Sequence, residues 1–586
     1  MPAVFRAEPR RLLVILATCV FVALPVTYIV AQTIAASRNI VFWDEFDTAL
    51  DFILRLDAGA GWPEIVHRIV AINNEHRTVM SKLLFAISYW LTGTVNFHVV
   101  GAIGNLFFFG TCAVLIAAVS GWERRVRLAV VLALLMFQLE HFESFIWSGA
   151  SIDHFQVVMH AVIAIAALSR VVRATPASQA AAPEAGAAAP SRLSGWFWVA
   201  GFFAVLATFT LAQGNAVWVA GALLLAGARR WSEFGLWVAL GVLAVGAFLH
   251  GFEVNPGHDI HEPSPRNLLH IGVYWLQLLG APLTLGEAKF APLPGVALLA
   301  ALGFCAARDM PRRQPLAWFG ALFAIGAIAL IALGRAELAG TMVNSRYLVL
   351  GALAWSLVLF MLLELGAAAQ PEHPFRQLVW LVPILAAFNV AADRKFAPMI
   401  DSFTEVRDRA ATSFEQYAAD GKGITRLHPR DRHADILMKM AEDRGVYRLP
   451  EFSRPVPLPE AKPNAQMIAY VDELVANNRA VTIGGWAMLP GKPSRRGSTY
   501  VVLRTARTQW VFSAVPLQRS DVATAYKEAR WRDCGFRAVI RRERLPREDF
   551  DIGLIIVDGR TPDLKMTGDR LELSGAEPRV YRPAMP

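Results

Sequence analysis

The sequence predicts a polytopic α-helical membrane protein of about eleven spans, followed by a C-terminal extracytoplasmic β-sandwich domain. Three observations carry this reading. Hydrophobic residues fill 55% of the 586 positions and charged residues only 18%, with a mean hydropathy of +0.39, an apolar excess that a soluble core cannot hide. Apolar runs near the ~20 residues that a ~30 Å hydrocarbon core requires recur from Arg11 to Val390, with arginine clusters between them. From Met467 onward the pattern turns into short alternating stretches with turn signals such as Asp558-Gly559.

The first run, Arg11 to Gln32, follows Arg6, Arg10 and Arg11. Small residues at Ala35 and Ala36 suit a cleavage site, but the run is long for a signal peptide and reads as an uncleaved first span. Further runs fall at Val95 to Val119, Leu128 to Leu139, Phe155 to Leu168, Trp196 to Leu211, Asn215 to Ala228, Phe234 to His250, Leu293 to Ala307, Leu316 to Leu333, Tyr347 to Leu365 and Leu378 to Val390. Two shorter stretches, Val79 to Leu91 and Leu268 to Leu279, read as re-entrant or interfacial helices. Counting both as full spans would place Arg124, Arg125 and Arg127 outside. With neither crossing, the clusters Arg10–Arg11, Arg124–Arg127, Arg170 with Arg173, Arg229–Arg230, Arg308–Arg313 and Arg376 all face the cytoplasm. The N-terminus is then inside and the C-terminal domain outside.

The expected organisation is a transmembrane domain over 1–392 with a first outer loop at 33–94, a charged helical extracytoplasmic segment at 393–449, a Pro-rich linker at 450–466 and a β-sandwich at 467–586. The Ala/Pro-rich stretch from Ala174 to Pro190 reads as a flexible cytoplasmic loop. A net charge of +9 could suggest nucleic acid, but the arginines mark the ends of apolar runs instead of forming one basic face. Cys19, Cys112, Cys305 and Cys534 are too scattered for a disulfide framework, and His258 and His261 lack a third metal ligand.

Polar chemistry collects in the loops expected on the outer side. The first of these holds Trp43-Asp44-Glu45-Phe46-Asp47, an amphipathic stretch Ala49 to Leu56, a second from Trp62 to Ile72, and Asn73-Asn74-Glu75-His76-Arg77. Carboxylates among aromatics at a membrane interface can have a raised pKa and so take a proton from a hydroxyl; acidic residues also suit the first turn of an interfacial helix. The segment Glu140 to Gly149 mixes Glu143 and Trp147, and Gln213-Gly214-Asn215 forms a minimal polar turn. Gly334-Arg335-Ala336-Glu337 and Ser345-Arg346-Tyr347 bracket a short loop whose arginines sit at the ends of apolar helices. An arginine there either meets an anion, for which lipid phosphate is the obvious candidate, or snorkels to the headgroups.

This arrangement resembles the GT-C class of integral-membrane glycosyltransferases, the superfamily of the protein O-mannosyltransferases and the aminoarabinose transferase of lipid A, through Asp44-Glu45 in a long first outer loop with two amphipathic helices. More narrowly, Trp43 to Asp47, Asn74 to Arg77, Glu143 to Trp147, Gly334-Arg335 and Ser345 to Tyr347 together are similar to a group of bacterial proteins of this kind. The resemblance covers roughly Arg11 to Val390 and implies a bacterial inner-membrane enzyme. It implies a polyprenyl-phosphate sugar donor, a glycan, lipid or protein acceptor, and no nucleic acid. Asp44 would be the general base, with Glu45 beside it as a second catalytic carboxylate. Asp47, Glu75, His76, Arg77, Glu143, Trp147, Gln213, Arg335, Arg346 and Tyr347 would bind substrate, the arginines on the leaving phosphate. The resemblance names no cofactor and leaves a divalent metal open, since metal use varies in the class. A carrier or flippase for a lipid-linked saccharide, and a lipid-diphosphate oligosaccharide ligase or polymerase, are the competing classes. A transporter should show charged or broken helices at mid-membrane. In the C-terminal domain, Gly484-Gly485-Trp486-Ala487 and Arg519 to Asp521 suggest either a glycan contact or a packing module.

Overall fold

The computed structural model describes residues 9–73, 76–173, 193–252, 264–335, 343–420, 427–450, 461–495, 498–558 and 562–582. Asn74, Glu75, the loop from Ala174 to Pro190, His258, His261, Glu337 and most of the Pro-rich linker lie outside the described residues. The chain divides into two compact units: Met1–Arg38 with Asp47–Asp401, and Asn39–Phe46 with Ser402–Pro586.

In the first unit, six helices among the described residues are long and apolar enough to cross a membrane, the pattern of a multi-pass membrane protein: Leu16–Ala36, Phe97–Ala118, Ser148–Arg173, Trp231–Leu249, Pro315–Arg335 and Ser345–Ala369. A seventh arises if Trp122–Met136 and Leu139–Ile146, bent by 56° at their junction, form one broken span. Other expected runs form shorter helices. Gly195–Thr208 has 14 residues and Pro292–Ala307 has 16, which rise about 21 and 24 Å against a hydrocarbon core of ~30 Å. Val79–Thr92, with 14 residues, and Pro265–Gly280, with 16, are comparably short. The run from Leu378 to Val390 opens a 45-residue helix, Arg376–Asp420.

Burial sorts these helices. The span Ser345–Ala369 is 83% buried and Leu16–Ala36 only 17%, so the former is central and the latter peripheral. Leu24, Trp198 and Trp380 are among the large apolar side chains left exposed, as a lipid-facing surface requires. Small residues allow close helix approach: a Cβ on Gly104 would lie 2.3 Å from Ser151 Oγ and 2.7 Å from the Ile152 nitrogen. One buried ion cluster ties the bundle together. Glu364 Oε1 accepts from Arg127 Nε and Nη2 at 2.9 and 2.6 Å, while its Oε2 accepts from Gln314 Nε2 at 3.3 Å and lies 2.9 Å from Arg124 Nε. Arg124 and Arg127, expected to be only a topology signal, are therefore partnered, and Glu364 is an ionisable residue within a span.

In the second unit, the segment Asn39–Phe46 is held by chain that follows Ser402. Tyr447 Oη donates to the Asn39 carbonyl at 2.8 Å and accepts from the Val41 N–H at 3.2 Å. Burial pushes the Tyr447 hydroxyl pKa up, and Glu45 adds to the effect. Among the described residues, ten strands form two sheets. They are β1 Lys462–Pro463, β2 Ile468–Ala476, β3 Ala480–Met488, β4 Thr499–Arg504, β5 Gln509–Ser513, β6 Val515–Leu517, β7 Gly535–Arg541, β8 Asp549–Ile556, β9 Asp563–Glu572 and β10 Arg579–Tyr581. One sheet runs β1-β9-β8-β4-β5 with β10 beside β9, and the other β2-β3-β7-β6. Val481, Ile483, Phe536 and Ile540 of the second sheet share a core with Val501, Leu503, Phe550 and Ile552 of the first. The β2–β3 pair shifts register between Val471 and Glu473, and the β8–β9 pair between Asp551 and Gly553.

Candidate functional site

The acidic turn belongs to the second unit. Trp43 takes a left-handed backbone at φ 50°, its N–H donates to the Leu427 carbonyl at 2.8 Å, and the chain reverses. Glu45, 1% exposed, accepts from the Phe42 N–H at 2.8 Å through Oε2. This is the reach of the acidic residue of a capping box back to the start of its turn, so Glu45 has a structural duty. Asp44 projects outward and is exposed. Around the turn, Phe42 packs edge-on to Phe403 at 5.4 Å, Phe46 to His428 at 5.6 Å, and the Arg407 guanidinium lies 5.8 Å from the Phe42 ring. Asp47, half-buried, stands in the first turn of Phe46–Leu50.

Most of the other candidates converge in the first unit. The Arg346 N–H donates to Glu143 Oε2 at 3.1 Å, and its guanidinium lies 5.5 Å from the Trp147 ring and 5.2 Å from the Tyr347 ring, within cation–π range. Ser345 locks this corner, donating to the Glu140 carbonyl at 2.6 Å while accepting from the Glu143 N–H at 3.3 Å. The Tyr347 ring meets His154 edge-on at 5.7 Å. Beside His154, Asp153 accepts from the Ser81 hydroxyl in the first turn of Val79–Thr92. His76, just ahead of that helix, accepts from the Ala212 N–H through Nδ1 at 3.3 Å, which leaves its proton on Nε2. Burial, with the positive charges of Arg335 and Arg346, pushes the His76 imidazole down to about 3, so it is neutral near pH 7. Gln213 is buried on the adjoining turn, and its Nε2 has no hydrogen-bond acceptor among the described residues. Gly214 makes that turn possible, since a Cβ there would lie 2.0 Å from the Ala207 carbonyl oxygen. Arg335 ends its helix half-buried, with Nη1 donating to the Gly334 carbonyl at 3.2 Å.

Arg77 has a different environment. It is buried, and its Nε donates to the Phe248 carbonyl at 2.8 Å while Nη1 and Nη2 reach the carbonyls of Val70 and His250. It thus joins the ends of two helices, Trp62–Val70 and Trp231–Leu249, by satisfying their last carbonyls. Lys82 does similar work on Trp62–Val70, donating to the carbonyls of Arg68 and Ala71 at 3.0 and 2.9 Å. Thr78 between them sits in the left-handed region at φ 32°, unfavourable for a β-branched residue.

Sequence reasoning passed over Asp153, His154 and Asp393, and it placed Glu140 in a candidate segment without a role of its own. Asp153 and His154 precede an apolar run and were absorbed into its edge. Glu140 lies at the junction of the bent helix pair, fully buried, with neither carboxylate oxygen hydrogen-bonded among the described residues. Asp393, three residues past the apolar run ending at Val390, accepts from the Leu139 N–H at 3.0 Å, and burial pushes its carboxyl up to about 6. An ionisable residue at the boundary of an apolar run was the available signal for each. No group of three or more metal-ligating side chains occurs among the described residues. Comparison with models of known families, with curated proteins and with solved structures returns no match to this chain.

Proposed function

We propose that this chain is an inverting glycosyltransferase of the GT-C type in the bacterial inner membrane. It moves a hexosyl or pentosyl unit from a polyprenyl-phosphate donor to a hydroxyl of an extracytoplasmic glycan, lipid or protein. In this reading it has about eleven spans, a cytoplasmic N-terminus and an outer C-terminal β-sandwich. The observation that carries the proposal is the corner made by Arg346, Trp147, Tyr347 and Glu143. Guanidinium groups at the ends of apolar helices suit a lipid phosphate. Aromatic faces suit the C–H face of a sugar, and the buried Gln213 amide offers a donor without an acceptor among the described residues.

In the proposed reaction the acceptor oxygen attacks the anomeric carbon as the carbon–oxygen bond to phosphate breaks from the opposite face. The resemblance assigns the acceptor proton to the Asp44 carboxylate, and it assigns the charge of the departing polyprenyl phosphate to Arg335 and Arg346. Arg77, engaged with three backbone carbonyls, is a positioning residue here. Asp44→Asn should lower transfer by about 10²- to 10⁴-fold while donor binding persists. Arg346→Ala should weaken donor binding and turnover together. The measurement is transfer by the purified protein in liposomes, alongside lipid and glycan profiling of a deletion strain for an accumulated polyprenyl-phosphate sugar and a missing glycan residue. Near-normal transfer by Asp44→Asn, Glu45→Gln and Glu75→Gln alike would remove the reading's main support.

One observation favours a second reading, a transporter of a lipid-linked saccharide: the 56° break in Trp122–Ile146 with buried Glu140 at its junction. Proteoliposomes separate the two readings. A transporter moves labelled donor lipid between leaflets without acceptor, and a transferase consumes it only when acceptor is present.

A further inference from the structure

We propose that the outward face of the β2-β3-β7-β6 sheet is a binding surface for a neutral saccharide, built from a row of four aromatic rings with a self-neutralised hydrogen-bonding rim. Tyr470 on β2 and Trp486 on β3 are register partners. Their rings lie 6.1 Å apart, inclined by 34°. Tyr526, which ends the helix Ser520–Ala525, stands edge-on to Trp486 at 5.7 Å and to Trp531 at 5.6 Å. The row continues across three separate pieces of chain and makes one surface.

The row lies on the side of its sheet away from the main core, with Trp486 and Trp531 half-buried on a small apolar cluster. On β2 and β3 the core takes Val471, Leu474, Val481, Ile483 and Ala487, leaving Tyr470 and Trp486 on the opposite side. Behind the rings, Met488, Val522 and Cys534 form a small buried floor. Trp531 is fixed by its Nε1, which donates to the Lys492 carbonyl at 2.9 Å, and Tyr526 remains 45% exposed. Gly535 faces Trp486 in register, and a Cβ there would lie 2.7 Å from the Arg519 side chain. A glycine at that position lets Arg519 lie across the strand next to the rings.

The chemistry of the face selects the ligand. A pyranose has an apolar C–H face and a hydroxyl edge, and ring faces with their negative quadrupole attract the polarised C–H bonds. At the rim, Arg519 pairs with Asp472 and Asp521, Arg530 with Glu528 and Arg537 with Glu473. Asp521 is 66% exposed and Asp472 38%, so they can still accept from sugar hydroxyls. Because these arginines already have carboxylate partners, an acidic polymer or an anionic lipid surface gains little from them. A neutral saccharide fits both halves of the surface. The proposal stands independently of whether the membrane unit transfers sugar.

The test uses the full chain in lipid nanodiscs, with maltohexaose, cellohexaose and mannohexaose as probes, read by saturation-transfer NMR and titration. At least one probe should bind. Tyr526→Ala should weaken it about tenfold, whereas Tyr526→Phe, which keeps the ring, should stay within about twofold of wild type. Thermal unfolding of both variants should be unchanged. Arg346→Ala, in the other unit, should bind the probe as wild type does. Binding of none of the three probes would overturn the proposal. So would undiminished binding by both Tyr526→Ala and Trp531→Ala, or a loss of binding on Arg346→Ala with none on Tyr526→Ala.

Discussion

Replacing Glu364 with glutamine should destabilise the membrane unit more than any change at its lipid-facing surface. The side chains of Arg127 and Glu364 are 4% and 5% exposed, joined by contacts of 2.9 and 2.6 Å on one carboxylate oxygen. Removing the negative partner leaves a buried guanidinium uncompensated, a change that costs about 3–5 kcal/mol. Arg124 adds little, because it is half exposed and screened pairs contribute about 0–1 kcal/mol. Glutamine retains one acceptor oxygen, which places the expected loss near the lower end, about 3–4 kcal/mol. At about 2 °C per kcal/mol for a large domain, the apparent Tm should fall by about 6–8 °C. The assay is thermal unfolding in a mild detergent at one fixed scan rate, since large membrane proteins unfold irreversibly. The double variant Arg127→Met/Glu364→Met removes both charges and should recover most of the loss. An unchanged Tm in Glu364→Gln, or a double variant as unstable as the single one, would refute the reasoning.

Two further outcomes are expected. His76 is held neutral with its pKa depressed to about 3 against an ordinary value of 6.5, so the unfolded chain binds more protons between those values. Its stability contribution is complete above about pH 6.5 and is lost as pH falls toward 3; His76→Gln should flatten that part of the stability–pH profile, and an unaltered slope would contradict the assignment. For topology, Lys527→Cys in the C-terminal unit should react with an impermeant maleimide added to intact spheroplasts, whereas the native Cys534, 1% exposed, should not. Labelling of Lys527→Cys only after the membrane is opened would invert the proposed orientation.

How much was legible beforehand depended on whether a signal was local. The apolar runs, the amphipathic pieces of the first loop and the short alternating stretches of the C-terminal region could be read because each is written in consecutive residues. The same holds for Arg346, Tyr347, Glu143 and Trp147, whose positions next to apolar helix ends marked them as candidates before their contacts were known. Even the duty of Glu45 was within reach, since its bond to the Phe42 N–H spans three residues. Span count was less legible: hydropathy does not say where a run ends its helix, and 14-residue helices such as Gly195–Thr208 read much like longer ones.

Other properties of this chain have no local signature. Arg127 meets Glu364 across 237 positions, and Tyr447 grips the segment before the acidic turn across more than 400. Arg77 spends its donors on carbonyls as far away as His250, so an arginine that looks available for phosphate in the sequence is committed to helix ends in the fold. Sequence alone determined that the chain is largely apolar helix, where it is interrupted and which polar residues stand at the interruptions, because hydrophobic burial and backbone hydrogen bonding within a helix are set by neighbouring residues. Tertiary structure decided which of those polar residues face one another and which are already satisfied, because a buried charge takes whichever partner the packing of distant helices brings within about 3 Å.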